Sequence, residues 1–347
     1  MTLSLVTGGS GYFGSLLVER LVESGHTVRI LDINDSDHHD GVQMVRGDIR
    51  DRQVVREAVD GVDVVFHNVA QVPLAKDRTL LETVNIDGTR ILLDACAEAR
   101  VSKIVHTSSS AIFGVPESNP VLPSTGPHPM EAYGEAKLRA EQLCHQAVRE
   151  HGLDITIVRP RTILGHGRLG IFGILFDWIA DGADPFVLGR GDNRYQFVHA
   201  EDLAEACRLA GHSAGPATFN VGTDRFGTMR EALEHLCRHA GTGSRVRSLP
   251  ARVTSSAMQA AAALRIAPFA PYHWIMYSKS MWFDTEHVTD ALGWTPRWSN
   301  DEMFVQSYDW FLANRAATTS AAASHHRRSA KQGALTLIKN ATRLLPG

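Results

Sequence analysis

A doubly wound parallel α/β sheet joined to a smaller mixed α/β lobe is the architecture this sequence predicts, on three observations. Short apolar runs alternate with amphipathic helical patterns through the first 160 residues, as in a parallel sheet with helices on both faces. Those runs are continuously apolar rather than alternating, as strands buried on both faces should be. A glycine-rich turn, Thr7-Gly8-Gly9-Ser10-Gly11-Tyr12-Phe13-Gly14, joins the first apolar run to the first helical pattern.

The first strand is expected at residues 3–6, and Leu16, Leu17 and Leu21 mark the helix beyond the turn. Strand, tight turn and helix form the setting in which a glycine pattern holds phosphate. Gly8 can take a backbone conformation closed to other residues. Gly11 lets a pyrophosphate approach the main chain, and Gly14 lets the helix pack close to the strand. The free N–H groups of the helix start, around Tyr12 and Phe13, then meet the phosphates. Further strands are expected at residues 28–31, 42–45, 62–66, 103–106 and 155–158, and helices at 52–59, 81–100 and 131–151.

Asp32 ends the second strand, about eighteen residues past the last glycine of the turn. A carboxylate there can accept both hydroxyls of an adenosine ribose and repels a 2′-phosphate, which favours NAD over NADP. Asp48, followed by Ile49, ends the next strand and can accept from the adenine amine, or simply form a turn.

The chain of 347 residues can bury a large core, and its formal net charge of −3 offers no basic stripe for nucleic acid. Cys96, Cys144, Cys207 and Cys237 are widely spaced, without a CxxC pair or any metal-ligand spacing. A reduced, cytoplasmic protein without a metal is the expectation. The turn begins within ten residues of Met1, so no signal peptide is expected, and no apolar run approaches a membrane span.

In sequence order the chain resembles the extended short-chain dehydrogenase/reductase superfamily, of the NAD-dependent epimerase/dehydratase type. The matching stretches after the glycine turn are His67-Asn68-Val69-Ala70, Asn85-Ile86-Asp87-Gly88-Thr89, Thr107 through Gly114 and Tyr133-Gly134-Glu135-Ala136-Lys137. Arg159-Pro160, Phe197 through Asp202, Phe219-Asn220-Val221-Gly222 and Leu292-Gly293-Trp294-Thr295-Pro296 follow. The resemblance covers about residues 3–314. It implies that Val69, Ala70, Arg159 and Pro160 lie against the cofactor, and that Tyr133 and Lys137 are the catalytic YxxxK pair. It also implies that Ser110, with Ser109 second, holds the substrate oxygen, and that the chain forms a homodimer through the YxxxK helix.

The chemistry requires such residues. A free phenol, with a pKa near 10, is too weakly acidic to serve as a base at neutral pH. Lys137 lies four residues after Tyr133, on the same helix face, and its charge favours the phenolate. Family members that dehydrate sugars carry an acidic pair directly after the serine. Here Ala111 and Ile112 stand there, which argues against 4,6-dehydration. Reversible oxidation of a nucleotide-sugar hydroxyl, most simply 4-epimerisation, is the leading expectation. The alternatives are a 3β-hydroxysteroid dehydrogenase-like oxidation of an apolar alcohol and a non-catalytic NAD-binding protein.

Residues 1–160 are expected to form the NAD-binding domain, with segments returning near 194–222, and residues 161–193 and 223–314 the substrate lobe. Thr228-Met229-Arg230-Glu231 is a capping box that opens a helix to about His239. In the nucleotide-sugar epimerases of the family that the chain resembles, an arginine clamps the diphosphate, and the resemblance puts Arg194 near that place, with Arg161, Arg168 and Arg190 as substitutes. His166 reads as a loop histidine. The aromatic stretch Phe269, Tyr272, His273 and Trp274 can line the substrate cleft or simply pack. Residues 315–347 are rich in Ala, Ser and Thr and read as a linker and tail, with membrane or partner docking as its other reading.

Overall fold

The structure, a computed structural model, describes residues 2–36, 41–71, 77–263 and 276–318. Strand and helix alternate as β1 (Leu3–Thr7), α1 (Tyr12–Glu23), β2 (Thr27–Asp32), β3 (Val42–Arg46), α2 (Arg52–Val59), β4 (Val64–His67), α3 (Arg78–Glu82), α4 (Gly88–Ala99), β5 (Lys103–Thr107), α5 (Ala132–His151) and β6 (Ile155–Pro160). The rest of the chain adds β7 (Thr162–Leu164), α6 (Phe172–Ala180), β8 (Phe186–Leu188), β9 (Phe197–His199), α7 (Ala200–His212), β10 (Ala217–Val221) and α8 (Met229–Ala240). It ends with β11 (Arg247–Leu249), α9 (Ala251–Ala263), α10 (Glu286–Leu292) and α11 (Asn300–Thr318).

One seven-stranded parallel sheet runs in the order β10-β6-β5-β4-β1-β2-β3. Neighbouring residues of a strand face opposite sides. Val6 packs with Leu17, Leu21, Leu203 and Cys207 of α1 and α7. Leu5 packs on the other side with Val55, Leu92, Cys96 and Cys144 of α2, α4 and α5. Two apolar faces explain why most of these strands carry no polar alternation. The smaller lobe holds the parallel pairs β7–β9 and β8–β11, around a core of Phe176, Phe197, Leu233, Phe304 and Tyr308.

Five expectations need correction or placement. β3 is the sheet's edge and is partly exposed along its length, because it has a neighbour only in β2. The helix expected over 81–100 is interrupted by a π-turn, Thr83–Asp87, and ends at Arg100 in the left-handed region with φ 57°. The last helix continues to Thr318, and Arg315 bonds Asp177 and Asp181, so the chain is still helical where a linker was expected. Segment 197–199 pairs with β7 rather than the main sheet. The aromatic stretch around Phe269 to Trp274 lies outside the described residues. The capping box at Thr228 is present, Thr228 and Glu231 each bonding the other's backbone N–H. No described helix is long and apolar enough to cross a membrane.

Candidate active site

The sheet's strand order reverses between β1 and β4, and the loops leaving those two strands diverge over a cleft at their carboxyl ends. Gly8 sits at φ +74°, and a Cβ there would lie 3.1 Å from the Val69 nitrogen. A Cβ on Gly14 would lie 2.0 Å from the Gly8 carbonyl oxygen, so α1 can start this close only with glycine. Gly11 is the N-cap of α1 and offers no side-chain cap, which leaves the N–H groups of the first turn open toward the cleft. The cleft has a volume of 470 Å³, and Gly8, Gly11, Tyr12, Phe13 and Gly14 form its floor.

At one end stand Asp32, Asp48 and Ile49. One Asp32 oxygen accepts from the Ser10 N–H at 3.1 Å, the other from the Asn34 N–H at 2.9 Å. Asp48 is held by Arg50, whose fork pulls its carboxyl below the usual carboxylate range. Val69 and Ala70 line the middle. The π-turn presents Asn85 to their loop. Its side chain accepts from the Gln71 N–H at 2.7 Å and donates to the Gln71 carbonyl at 3.0 Å, which clamps the loop after β4.

At the far end are Ser109, Ser110, Tyr133, Lys137, Pro160, Arg161 and Arg168. Ser109 Oγ caps the short 3₁₀ turn Ser110–Phe113 by accepting from the Ala111 N–H. Ser110 Oγ accepts from Arg161 Nη1 at 2.9 Å. Tyr133 sits in the first turn of α5, whose N-cap Glu131 accepts from the Tyr133 and Gly134 N–H groups. Lys137 is buried and donates to the Thr107 carbonyl at 2.8 Å. Burial brings its pKa down to about 8. Beneath it, burial and then the Lys137 charge push His67 down to about 3, and His106 falls well below the ordinary value mainly through burial. Arg168 stacks 5.5 Å from the Tyr12 ring.

Two expected site residues point elsewhere. Arg159 does not line the cleft. Its Nε and Nη2 bond the two Glu141 oxygens at 2.9 and 2.6 Å, and its Nη1 bonds the Pro123 carbonyl. Ser108 also donates to Glu141. Arg194 is exposed and stacks 4.9 and 4.7 Å from the Phe226 and Trp282 rings, away from the cleft lining. Sequence reasoning missed Arg50, Asn34 and Glu141. Glu141 had a signal, since Tyr133, Lys137 and Glu141 follow one another at four-residue steps on one face of α5.

His166, His199 and Glu201 bring ligand-type atoms within 4.8 Å of one another. Both His199 ring nitrogens are already in hydrogen bonds, with the Glu201 N–H and with Gln306.

Residues 4–222 match the family model described as the NAD dependent epimerase/dehydratase family. An uncharacterized protein of Sinorhizobium fredii, y4nG, is 49% identical over 345 residues, covering 99% of this chain and 87% of that protein. The UDP-glucose 4-epimerase of Mycolicibacterium smegmatis is 29% identical over 248 residues, 66% of this chain and 79% of its own. The crystal structure of UDP-glucose 4-epimerase with UDP-glucose from Thermotoga maritima superimposes with a TM-score of 0.76 at 23% identity. It covers 90% of this chain and 100% of that one, and so shares the fold.

Proposed function

Because this chain belongs to the NAD-dependent epimerase/dehydratase family, we propose that it inverts a hydroxyl-bearing carbon of a nucleotide sugar, most simply C4 of a hexose, through a keto intermediate. The observation that carries the reading is one cleft lined by the glycine turn, Asp32, Ser110, Tyr133 and Lys137 together. The cleft fits NAD: glycine at 8 and 14 lets α1 start close against the end of β1, the uncapped first-turn N–H groups of α1 can receive a pyrophosphate, and Asp32 stands at the end of β2 for the adenosine ribose. When bound, NAD accepts a hydride and returns it.

The chain's own residues handle the proton and the substrate oxygen. Lys137, with its pKa near 8, carries its charge for most of the time at neutral pH. That charge favours the Tyr133 phenolate, which takes the proton from the reacting hydroxyl. Ser110 already accepts from Arg161, so its own O–H is left to donate to the reacting oxygen. Ser109 Oγ likewise only accepts, from the Ala111 N–H, and stays second to Ser110. Ala111 and Ile112 supply no acid beside Ser110, in keeping with inversion rather than dehydration. A homodimer through α5 belongs to the same proposal and is checked by light scattering.

The test is to purify the protein, identify the cofactor that comes with it, and follow UDP-, dTDP-, GDP- and CDP-sugars by NMR. Tightly retained NAD and interconversion of two sugar epimers are expected. Net NADH formation with a steroid alcohol, and no sugar turnover, would replace this reading with the dehydrogenase one.

A further inference from the structure

Arg161 is 1% exposed, yet its guanidinium is only half used. Nη1 meets Ser110 Oγ at 2.9 Å and Met281 Sδ at 3.1 Å. The Tyr195 ring lies 4.7 Å from the guanidinium carbon and the Phe283 ring 5.6 Å, which fixes the plane of the group without satisfying its in-plane donors. Nε and Nη2 have no hydrogen-bond partner among the described residues, and no described carboxylate lies within ion-pair distance. Nε and Nη2 together form the side-on edge of the fork. Two residues earlier, Arg159 uses that same pair of atoms to grip both oxygens of Glu141.

A buried guanidinium without a counter-ion is costly, and an unpartnered side-on fork matches the two coplanar oxygens of a carboxylate. Arg161 lines the cleft and touches Ser110, the residue that holds the reacting oxygen. A ligand drawn to this guanidinium would therefore lie at the Ser110 end of the cleft and not at the nucleotide end, where the phosphates meet the glycine turn. We propose that Arg161 is a specificity-determining residue that reads a carboxylate next to the reacting carbon, so that the substrate is a nucleotide-linked sugar acid rather than a neutral sugar. The inference rests on the nucleotide-sugar reading above and narrows it.

The experiment compares matched pairs, a nucleotide hexose and the corresponding hexuronic acid (UDP-glucose with UDP-glucuronic acid, and the dTDP and GDP pairs), by calorimetric titration of the NAD-loaded protein. The acid should bind at least about tenfold more tightly than its neutral partner, roughly 1.4 kcal/mol. Arg161→Gln keeps hydrogen-bond donors and removes the charge. It should bring the two affinities within about threefold of each other, the acid losing more affinity than the hexose. General damage to the site would weaken both ligands alike. Should Arg161→Gln fail to fold, Arg161→Lys keeps the charge without the fork and should lose most of the preference. Equal binding of acid and hexose by the unmodified protein, or a preference that survives both substitutions, overturns the role of Arg161 and leaves the epimerase reading standing. Binding of no nucleotide sugar at all overturns the epimerase reading, and this inference with it.

Discussion

Tyr133 and Lys137 stand one helical turn apart on α5 and line the same cleft, so substitutions at the two have separable signatures. Tyr133→Phe keeps the ring's packing and removes the proton acceptor. Turnover should fall by about 10² to 10⁴, with the melting temperature and NAD affinity retained. Lys137→Met removes the charge that favours the phenolate, so the rising limb of the pH profile of kcat/KM should move to higher pH. Near-normal turnover by Tyr133→Phe would end its assignment as the base. Arg159 carries the opposite expectation. Its partner Glu141 is 1% exposed, and Arg159→Met would strand that carboxylate in the interior. Chemical denaturation should show a loss of about 3–5 kcal/mol, while the NAD affinity of the folded fraction stays close to normal. Weakened NAD binding with unchanged stability would return Arg159 to the cofactor. The glycine turn and YxxxK were legible because each is local. The Arg159–Glu141 pair was not, since nothing in a stretch reading Arg-Pro says which carboxylate its fork will meet.

Elements were legible to the degree that their signals were local. α2 occupies residues 52–59 as read, and Asp51 caps it by accepting from the Gln53 and Val54 N–H groups. The break in the 81–100 pattern was hidden, because a π-turn leaves the apolar spacing nearly intact. Its purpose is tertiary, to aim Asn85 at the loop after β4. α11 was under-read at its end, where Ala316 and Ala317 resemble linker composition. Arg315 stacks 5.8 Å from Phe311 and bonds Asp177 and Asp181 of the α6 end. Truncation after Thr318 should leave the melting temperature nearly unchanged. Truncation after Leu312 removes these half-exposed pairs and should cost about 1 kcal/mol more, seen as a melting temperature lower by a few degrees. Equal melting temperatures for the two truncations would show that the Arg315 contacts contribute nothing.

The whole molecule has an acid-sensitive centre. His67 and His106 face each other in the middle of the sheet with ring centroids 5.2 Å apart. Both are held neutral, with the folded pKa below the ordinary value and that of His67 down to about 3. On acidification the unfolded chain takes up these protons first. Stability is therefore full above about pH 6.5 and falls as the pH drops from there toward 3, by up to about 1.4 kcal/mol per pH unit for each histidine. Urea unfolding between pH 7.5 and 4.5 should show this decline, and His106→Leu should flatten it. A midpoint constant over that range would refute the assignment. By itself, the sequence determined the alternation of strand and helix, the glycine turn, the Asp32 position and the Tyr133–Lys137 pair. Each rests on a periodicity, a short motif or a spacing read along the chain. Only the tertiary structure decided that β3 is an edge, that Arg159 closes on Glu141, and that Arg161 is buried beside Ser110. Strand order sets those, by bringing together residues 18 to 51 positions apart. An apolar pattern specifies that a face is buried, and is indifferent to which buried guanidinium meets a carboxylate and which one does not.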